Sequence, residues 1–158
     1  MKKIMFVCLG NICRSPVAEA VMAHLIAEKG LQKKFRVDSS GTSAFHVGAD
    51  PDPRMAAAAE KKGIAMDHSA QQFVKEHFSK NDLIFAMDKS NYAGVTSLTQ
   101  NSKFRDKVHL FRDFDLQEIG SDVPDPYYRG GMAAFDEVFE IVERTCQEIL
   151  TKLLAKKL

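Results

Sequence analysis

Four short apolar runs of strand length limit what this chain of 158 residues can fold into. They are KKIMFVC, FRVDSSGTS, DLIFAMD and KVHLF, and segments that favour helix lie between them. The first run shows no polar alternation, which is typical of a parallel strand that is covered on both faces. Strands that alternate with helices predict an α/β fold, with a parallel sheet, helices on both faces and right-handed crossovers.

The helical segments carry their own boundary signals. Pro16 opens the first helix, for which Ser15 is the predicted N-cap, and apolar residues recur at helical spacing up to Gly30. A second helix is predicted in PRMAAAAEKKG, ending at Gly63, and KSNYAGVTSL is compatible with a third. From Met132 onward apolar residues follow at steps of three and four, which predicts a long amphipathic helix. The proline- and glycine-rich segments SAFHVGADPDP and GSDVPDPYYRGG are predicted to be loops.

Length, charge and cysteine content exclude several classes of protein. The chain suits a single domain over residues 1–158 that needs neither disulfides nor metals for its core. Its 22 basic and 21 acidic side chains create no broad field for nucleic acid or an anionic membrane surface. No apolar run approaches the roughly 20 residues that a membrane-spanning helix needs. Three cysteines and no secretory leader pattern indicate a reducing compartment, so we expect a cytoplasmic protein.

The stretch CLGNICRS joins the first predicted strand to the first predicted helix. A loop in this position points backbone N–H groups and the positive end of the helix dipole into one concavity, which suits an anion. Arg14 adds a planar guanidinium that can bind two oxygens of one oxyanion, and Gly10 permits a tight turn. The same positive field favours the thiolate form of Cys8. We therefore predict a sulfur nucleophile that faces a phosphate-sized site, rather than a buried cysteine beside a surface arginine.

Two longer motifs resemble the signatures of the low-molecular-weight protein tyrosine phosphatases. They are VCLGNICRSP near the start and DPYY at residues 125–128, and VDSSGTS and FAMDKSN resemble family segments between them. The resemblance covers essentially the whole chain. It implies a four-stranded parallel sheet with a phosphate-binding loop between the first strand and the first helix. It also implies hydrolysis of phosphotyrosine in proteins through a phosphocysteine intermediate, with inorganic phosphate as product and inhibitor, and with no cofactor or metal.

The resemblance assigns roles to individual residues. Cys8 resembles the family nucleophile, Arg14 the phosphate clamp and Asp125 the general acid. Ser15 resembles the hydroxyl that steadies the thiolate, and Asp88 the carboxylate that orients Arg14. The other predicted phosphate-binding or supporting residues belong to the loop or hold it in shape: Leu9, Gly10, Asn11, Ile12, Cys13, Ser39 and His68. The predicted walls of the substrate slot are Leu9, Phe45, His46, Tyr127 and Tyr128.

Elementary chemistry agrees with the assignment of the general acid and the clamp. A phenolate leaving group needs a proton as its P–O bond breaks, and Asp125 on a mobile loop can supply that proton and later activate water. Arg14 and the loop amides can stabilise the charge on the equatorial oxygens throughout the transfer. No metal ion is then needed.

Three other functions are alternatives. An arsenate reductase can share such an anion loop, but it needs further resolving cysteines in mid-chain, and none lies between Cys13 and Cys146. A phosphocysteine carrier of sugar transport lacks the arginine clamp and the acid loop. A phosphotyrosine-binding module without turnover would be expected to lack Cys8 or Asp125. Steady release of phosphate from an aryl phosphate distinguishes hydrolysis from all three.

The two remaining cysteines have separate interpretations. Cys146 falls on the apolar stripe of the last helix and is predicted to be a core residue. Cys13 is predicted to be a resolving thiol that forms a reversible disulfide with Cys8 after oxidation, and the alternative is that it only packs beneath the loop. The acidic residues Asp122 and Asp136, which flank the predicted general acid in sequence, are interpreted as solvated.

Overall fold

The computed structural model describes residues 1–158 and contains four strands and six α-helices. The strands are β1 (Lys2–Cys8), β2 (Phe35–Gly41), β3 (Leu83–Ala86) and β4 (Val108–Leu110). The helices are α1 (Arg14–Glu28), α2 (Pro53–Glu60), α3 (Glu76–Lys80), α4 (Lys89–Thr96), α5 (Ser102–Arg105) and α6 (Gly131–Leu154), and a 3₁₀ helix spans Phe111–Phe114. All strand pairs are parallel, so the predicted α/β fold with a four-stranded parallel sheet is confirmed.

The order of the strands across the sheet is β2-β1-β3-β4. The chain moves outward from β1 to β2 and then returns past β1 to β3, so the winding direction reverses beside β1. In open parallel sheets ligands bind beyond the carboxyl ends of the strands at such a reversal. Cys8 is the last residue of β1, paired with Gly41 at the end of β2, and therefore lies at this position.

Alternate residues of β1 enter two different cores. Ile4, Phe6 and Cys8 belong to a cluster of 30 buried residues that includes the apolar faces of α1, α2 and α6. Met5 and Val7 face the opposite way, into a cluster of 7 residues with side chains from α3 and α4. Helices therefore cover both faces of the sheet, as predicted.

The long last helix agrees with its predicted pattern. It begins one residue before Met132 and packs its buried stripe against α1 and α2. Cys146 is fully buried in that stripe, which confirms its interpretation as a core residue. No helix in the structure is both long and apolar enough to cross a bilayer.

The boundaries of the short elements differ from the sequence analysis. Helix α1 begins at Arg14 with Cys13 as N-cap and no side-chain capping bond, so the prediction of Ser15 as N-cap is wrong. The Ser15 hydroxyl is instead directed into the loop, where it lies 3.0 Å from the Cys8 sulfur. Helices α3 and α5 were not predicted, because five and four residues are too few to show a helical period.

Candidate active site

The segment from Cys8 to Ser15, called the phosphate loop from here on, leaves several amides without protein acceptors. The carbonyls of Cys8 and Leu9 accept hydrogen bonds from the amides of Thr42 and Ser43, each 2.9 Å long. These bonds direct the first loop carbonyls toward the segment that follows β2. The loop amides that donate to no protein acceptor belong to Leu9, Gly10, Ile12, Cys13, Arg14 and Ser15. An anion bound in the loop can accept hydrogen bonds from such amides.

Asn11 holds the loop in its curled shape. Its φ of 56° lies in the left-handed region, where asparagine is among the few side chains tolerated. Its Nδ2 donates to the hydroxyls of Ser15 (2.8 Å) and Ser39 (3.0 Å). Its Oδ1 accepts from the amide of Gln71 at 2.9 Å and lies 2.6 Å from Nε2 of His68. One buried side chain thus ties the loop to α1, to β2 and to the segment before α3.

Gly41 allows the end of β2 to lie directly against the loop. A Cβ atom at this position would lie 2.6 Å from the carbonyl oxygen of Leu9 and 3.1 Å from the amide nitrogen of Asn11. Both are backbone atoms that cannot turn aside, so only glycine fits. The sequence analysis did not single out this residue, although it lies within the VDSSGTS motif.

Cys8 presents its sulfur at the base of the loop. The residue is 3 % exposed, and its Sγ accepts a hydrogen bond from the amide of Asn11 at 3.3 Å. The hydroxyl of Ser15 lies 3.0 Å away on the other side. Donors from two directions can therefore stabilise negative charge on this sulfur.

Arg14 is buried beside this sulfur and meets two carboxylates. Its Nη1 donates to Asp88 at 2.7 Å and to the carbonyl of Val123 at 3.1 Å, and its Nη2 lies 3.6 Å from Oδ2 of Asp125. Burial alone would lower the pKa of the guanidinium, but the charges of Cys8, Asp88 and Asp125 raise it above its ordinary value. Arg14 is therefore a permanent cation, oriented from behind by Asp88 as the resemblance implied.

A second row of side chains supports Asn11. His68 pairs through Nδ1 with the carboxylate of Glu19 at 3.1 Å. Burial lowers the pKa of His68, but the hydrogen bond and charge of Glu19 more than offset this and raise it. Glu19 also accepts from the hydroxyl of Ser39 at 2.7 Å. The sequence analysis missed Glu19, although its position one helical turn after Ser15 places both side chains on the same face of α1.

Glu19, Asp38 and His68 bring three metal-ligating side chains together, with ligand atoms within 4.8 Å of one another. Their proximity is not visible in the sequence, because the three residues are far apart along the chain. The carboxylate of Asp38 accepts from the amide of Ser39 at 2.8 Å and from the side chain of Gln71 at 3.1 Å. The cluster thus forms part of the hydrogen-bonded support of the loop.

A cavity of about 310 Å³ opens above the Cys8 sulfur. All of the predicted slot residues line it: Leu9, Phe45, His46, Tyr127 and Tyr128. Tyr127 is half-buried, whereas Phe45 and Tyr128 are 85 % and 84 % exposed and form the rim rather than the walls. The ring of His46 lies over Gly10, where a Cβ atom would come within 2.9 Å of it. Ser43, which also lines the cavity, was not predicted.

Asp125 lies at the edge of the same cavity, on an irregular segment from Gly120 to Gly130 that is called the acid loop from here on. Its Oδ1 accepts a hydrogen bond from the amide of Tyr127 at 3.1 Å. Its carboxylate is 34 % exposed and has no other hydrogen-bond donor within the protein. The carboxyl group thus reaches both solvent and the space above Cys8.

Cys13 lines the cavity as well, but in a different chemical state from that expected of Cys8. Burial, together with the negative charges of Asp52, Cys8 and Asp125, raises the pKa of its thiol far above the ordinary range. Cys13 is therefore protonated at neutral pH beside a charged Cys8 and does not compete with it for an electrophile in the cavity. All three cysteines are free thiols in this structure.

Asp52 and Arg54 connect the phosphate loop to the wall of the cavity. The amide of Asp52 donates to the carbonyl of Ile12 at 2.8 Å, and its carboxylate receives two side-chain hydrogen bonds from Arg54. The guanidinium of Arg54 lies 5.5 Å from the centre of the Tyr127 ring. Sequence reasoning missed this pair, whose one signal is the N-terminus of α2 marked by DPDPR.

Comparisons with known proteins agree with this geometry. Residues 3–158 match the family described as low molecular weight phosphotyrosine protein phosphatase. A putative low molecular weight protein-tyrosine-phosphatase of Synechocystis is 43 % identical over 151 residues, which covers 96 % of each chain. A crystal structure of a protein tyrosine phosphatase from Entamoeba histolytica superposes with a TM-score of 0.95 at 39 % identity and covers 100 % of both chains. An arginine phosphatase from Drosophila superposes with a TM-score of 0.85 at 32 % identity, covering 97 % of this chain and 98 % of that one. Since the family match spans nearly the whole sequence and the phosphate loop lies at the sheet reversal, the chain belongs to the low molecular weight phosphotyrosine protein phosphatase family.

Proposed function

We propose that this protein hydrolyses phosphotyrosine in proteins through a phosphocysteine intermediate. The Cys8 thiolate attacks phosphorus, so that a P–S bond forms as the P–O bond to the tyrosine oxygen breaks. Asp125 gives its proton to that oxygen, and the tyrosine leaves as a neutral phenol. In the second step Asp125 takes a proton from water, the water oxygen attacks phosphorus, and the P–S bond breaks. Inorganic phosphate departs, and the thiolate is restored.

One observation carries this proposal. A buried sulfur within hydrogen-bond distance of the Asn11 amide and the Ser15 hydroxyl, a buried arginine and a partly exposed carboxylate all border one cavity. The arginine and the loop amides can hold the three equatorial oxygens, and the carboxylate lies where the leaving group has to exit. Inorganic phosphate, as the product, binds in the same loop and inhibits.

The substrate class follows from the walls of the cavity. The rings of Tyr127 and His46 lie with their centres 6.0 Å apart and their planes tilted by 55°, and Tyr127 meets Tyr128 edge-on. Such walls suit a flat aryl group, because aromatic rings stack favourably. Phosphoarginine is a second candidate, favoured by the structural likeness to an arginine phosphatase. The apolar side chains of Leu9 and Ile12 along the cavity favour the aryl ester, because they offer no partner to a guanidinium.

Peroxide regulation and a cytoplasmic location complete the proposal. Peroxide oxidises the Cys8 thiolate to a sulfenic acid, and the Cys13 sulfur displaces its oxygen as water to form a disulfide. The disulfide protects Cys8 from further oxidation and is reduced by thiols. Three free cysteines support a reducing compartment.

Phosphate release from phenyl phosphate tests the catalytic proposal. The wild type is expected to turn over steadily, whereas Cys8→Ser is inactive yet still binds phosphate, because the alcohol is protonated and the loop is preserved. Phosphotyrosine and phosphoarginine peptides compared by kcat/KM decide the substrate class. Residual turnover by Cys8→Ser would contradict the role of Cys8.

Recovery after peroxide tests the regulatory proposal. Wild-type protein is expected to regain its activity with dithiothreitol, and Cys13→Ser to regain much less of its own starting activity. If wild type and Cys13→Ser regain the same fraction of their activity, Cys13 is only a packing residue.

A further inference from the structure

Arg112 takes no part in the proposed reaction. Its guanidinium is buried outside the active site, and all three of its nitrogen atoms donate hydrogen bonds. The residue is 4 % exposed and lies in the 3₁₀ helix that follows β4. Its Nε donates to Asp115 at 3.0 Å, its Nη2 to Glu118 at 2.8 Å and its Nη1 to the carbonyl of Asp122 at 2.8 Å. The last of these contacts reaches the acid loop three residues before Asp125.

Asp115 is the fixed point of this arrangement. It is 0 % exposed and receives two hydrogen bonds of 2.9 Å from Arg144 in α6, in addition to that from Arg112. Burial would raise the pKa of Asp115, but hydrogen bonds from Arg144, from the amide of Gln117 and from Arg112 lower it to about 2. The carboxylate therefore stays charged at neutral pH, and both arginines are anchored by it.

Only one of the two arginines extends from this fixed point to the acid loop. Arg112 binds the carbonyl of Asp122 by its side chain, and its own carbonyl accepts from the amide of Gly120 at 3.0 Å. Arg144 makes its side-chain bonds to Asp115 alone. The two residues thus share a buried partner but differ in their connection to the loop.

The contact between Arg112 and the carbonyl of Asp122 lies next to a second anchor of the acid loop. Val123 follows directly after Asp122, and its carbonyl accepts from Arg14, while its amide donates to Met87 at the end of β3. Arg112 and Arg14 therefore hold adjacent peptide groups of the same loop. Asp125 lies three residues after Asp122 and two after Val123, so a shift of these anchored peptide groups is passed on to the carboxyl group.

We propose that Arg112 is a positioning residue that sets the reach of Asp125 toward the leaving-group oxygen. This inference rests on the proposed role of Asp125 as general acid. Arg112 touches neither the substrate nor the phosphoryl group. Its loss is expected to weaken proton donation while phosphate binding, which belongs to the phosphate loop, persists.

The test compares Arg112→Gln with Arg144→Gln across aryl phosphates whose leaving groups range from phenol to strongly acidic phenols. For Arg112→Gln we expect kcat/KM on phenyl phosphate, which reports the step that expels the leaving group, to fall about tenfold to a hundredfold, the scale of a small misplacement of a catalytic group. The loss should shrink toward the wild-type rate for acidic phenols, which leave without a proton. The inhibition constant of inorganic phosphate should stay within about twofold.

Arg144→Gln is the matched control, because it removes a partner of the same buried carboxylate without touching the acid loop. This substitution is expected to lower the thermal midpoint of unfolding and to reduce the rate by the same factor for every leaving group. Arg112→Lys, which can keep one hydrogen bond, is expected to recover part of the rate on phenyl phosphate. If Arg112→Gln does not fold, Arg112→Lys and Arg144→Lys carry the same comparison.

Two results would overturn the inference: an equal loss across all leaving groups in the Arg112 variant, or the same selective loss in the Arg144 variant. Asp125→Ala, measured alongside, distinguishes failure of the inference about Arg112 from failure of the proposed function. If Asp125→Ala shows no dependence on the leaving group, the role of the general acid is wrong. If it shows that dependence and Arg112→Gln does not, only the role of Arg112 is wrong.

Discussion

The phosphate loop and the acid loop border one cavity but are held in very different ways. In the phosphate loop, Asn11 alone engages four partners from three parts of the chain, and Arg14 and Ser15 are almost fully buried. In the acid loop, Asp125 has one hydrogen bond from the protein, and Tyr128 is almost fully exposed. If the proposed function is right, the contrast is one between a preformed anion site and a loosely held proton donor.

This contrast fits the two tasks of the site. Charge on a phosphoryl group is stabilised best by donors that need no rearrangement during the reaction. A group that donates a proton to a departing product must also let that product leave, and segments with few contacts open most easily. If the contrast holds, substitutions in the two loops should have different kinetic signatures.

The largest effect is expected for Asp125→Asn, which keeps the shape of the side chain but cannot donate a carboxyl proton. On phenyl phosphate kcat/KM, which reports the step that expels the leaving group, should fall about a hundredfold to ten-thousandfold, and much less on phosphates of acidic phenols. Steady-state rates over a leaving-group series measure this. Equal losses over the series would break the assignment of the acid loop to proton donation.

Asn11→Ala should disturb the phosphate loop rather than the acid loop. It removes four buried contacts and puts alanine at a positive φ, so we expect kcat to fall roughly tenfold to a hundredfold for every leaving group. Phosphate should also bind more weakly. Asn101→Ala, which removes only the exposed cap of α5, is the control and should leave both quantities unchanged. A loss that depends on the leaving group would show that the two loops are not independent.

Tyr127→Ala tests whether the wall of the cavity contributes more to substrate binding than its rim. Loss of one stacking partner is worth about 0.5–1.5 kcal/mol, so KM for aryl phosphates should rise roughly twofold to twelvefold. Tyr128→Ala should change KM less, because its ring is mostly in solvent. KM values for aryl and alkyl phosphates measure both effects. A larger increase in KM for Tyr128→Ala than for Tyr127→Ala would mean that the substrate binds mainly at the rim of the cavity.

The smallest expected effect concerns His68 and the pH dependence of stability. Its pKa is raised above 6.5 in the folded protein, so its protonated form stabilises the fold fully below that pH. That stabilisation should be lost as the pH rises through the raised pKa. The thermal midpoint of His68→Gln should therefore depend less on pH above neutrality than that of the wild type. His77 provides a control of opposite sign, since burial lowers its pKa. An unchanged pH profile in His68→Gln would mean that its ion pair with Glu19 does not stabilise the loop.

The same contrast explains how much of the molecule could be predicted from the sequence. The sheet and its main helices follow from local periodicity, and the phosphate loop lies within eight consecutive residues whose chemistry is visible together. The predicted role of Asp125 depends on resemblance to a family, because more than a hundred residues separate it from Cys8. Glu19, Asp52 and Arg112 were missed because their roles arise from contacts between distant segments. Helices α3 and α5 were missed because they are shorter than two helical turns.

The central place of β1 in the sheet has a consequence for how the protein opens. Cys8 ends a strand that is paired on both edges, so its neighbouring amides should exchange with deuterated water only through nearly complete unfolding. The amides from Asp125 to Gly130 lie in no strand or helix, beyond the anchored peptide groups of Asp122 and Val123, and should exchange through small local openings. The protein can therefore release and readmit the Asp125 carboxyl group many times while the strand that carries the sulfur remains closed.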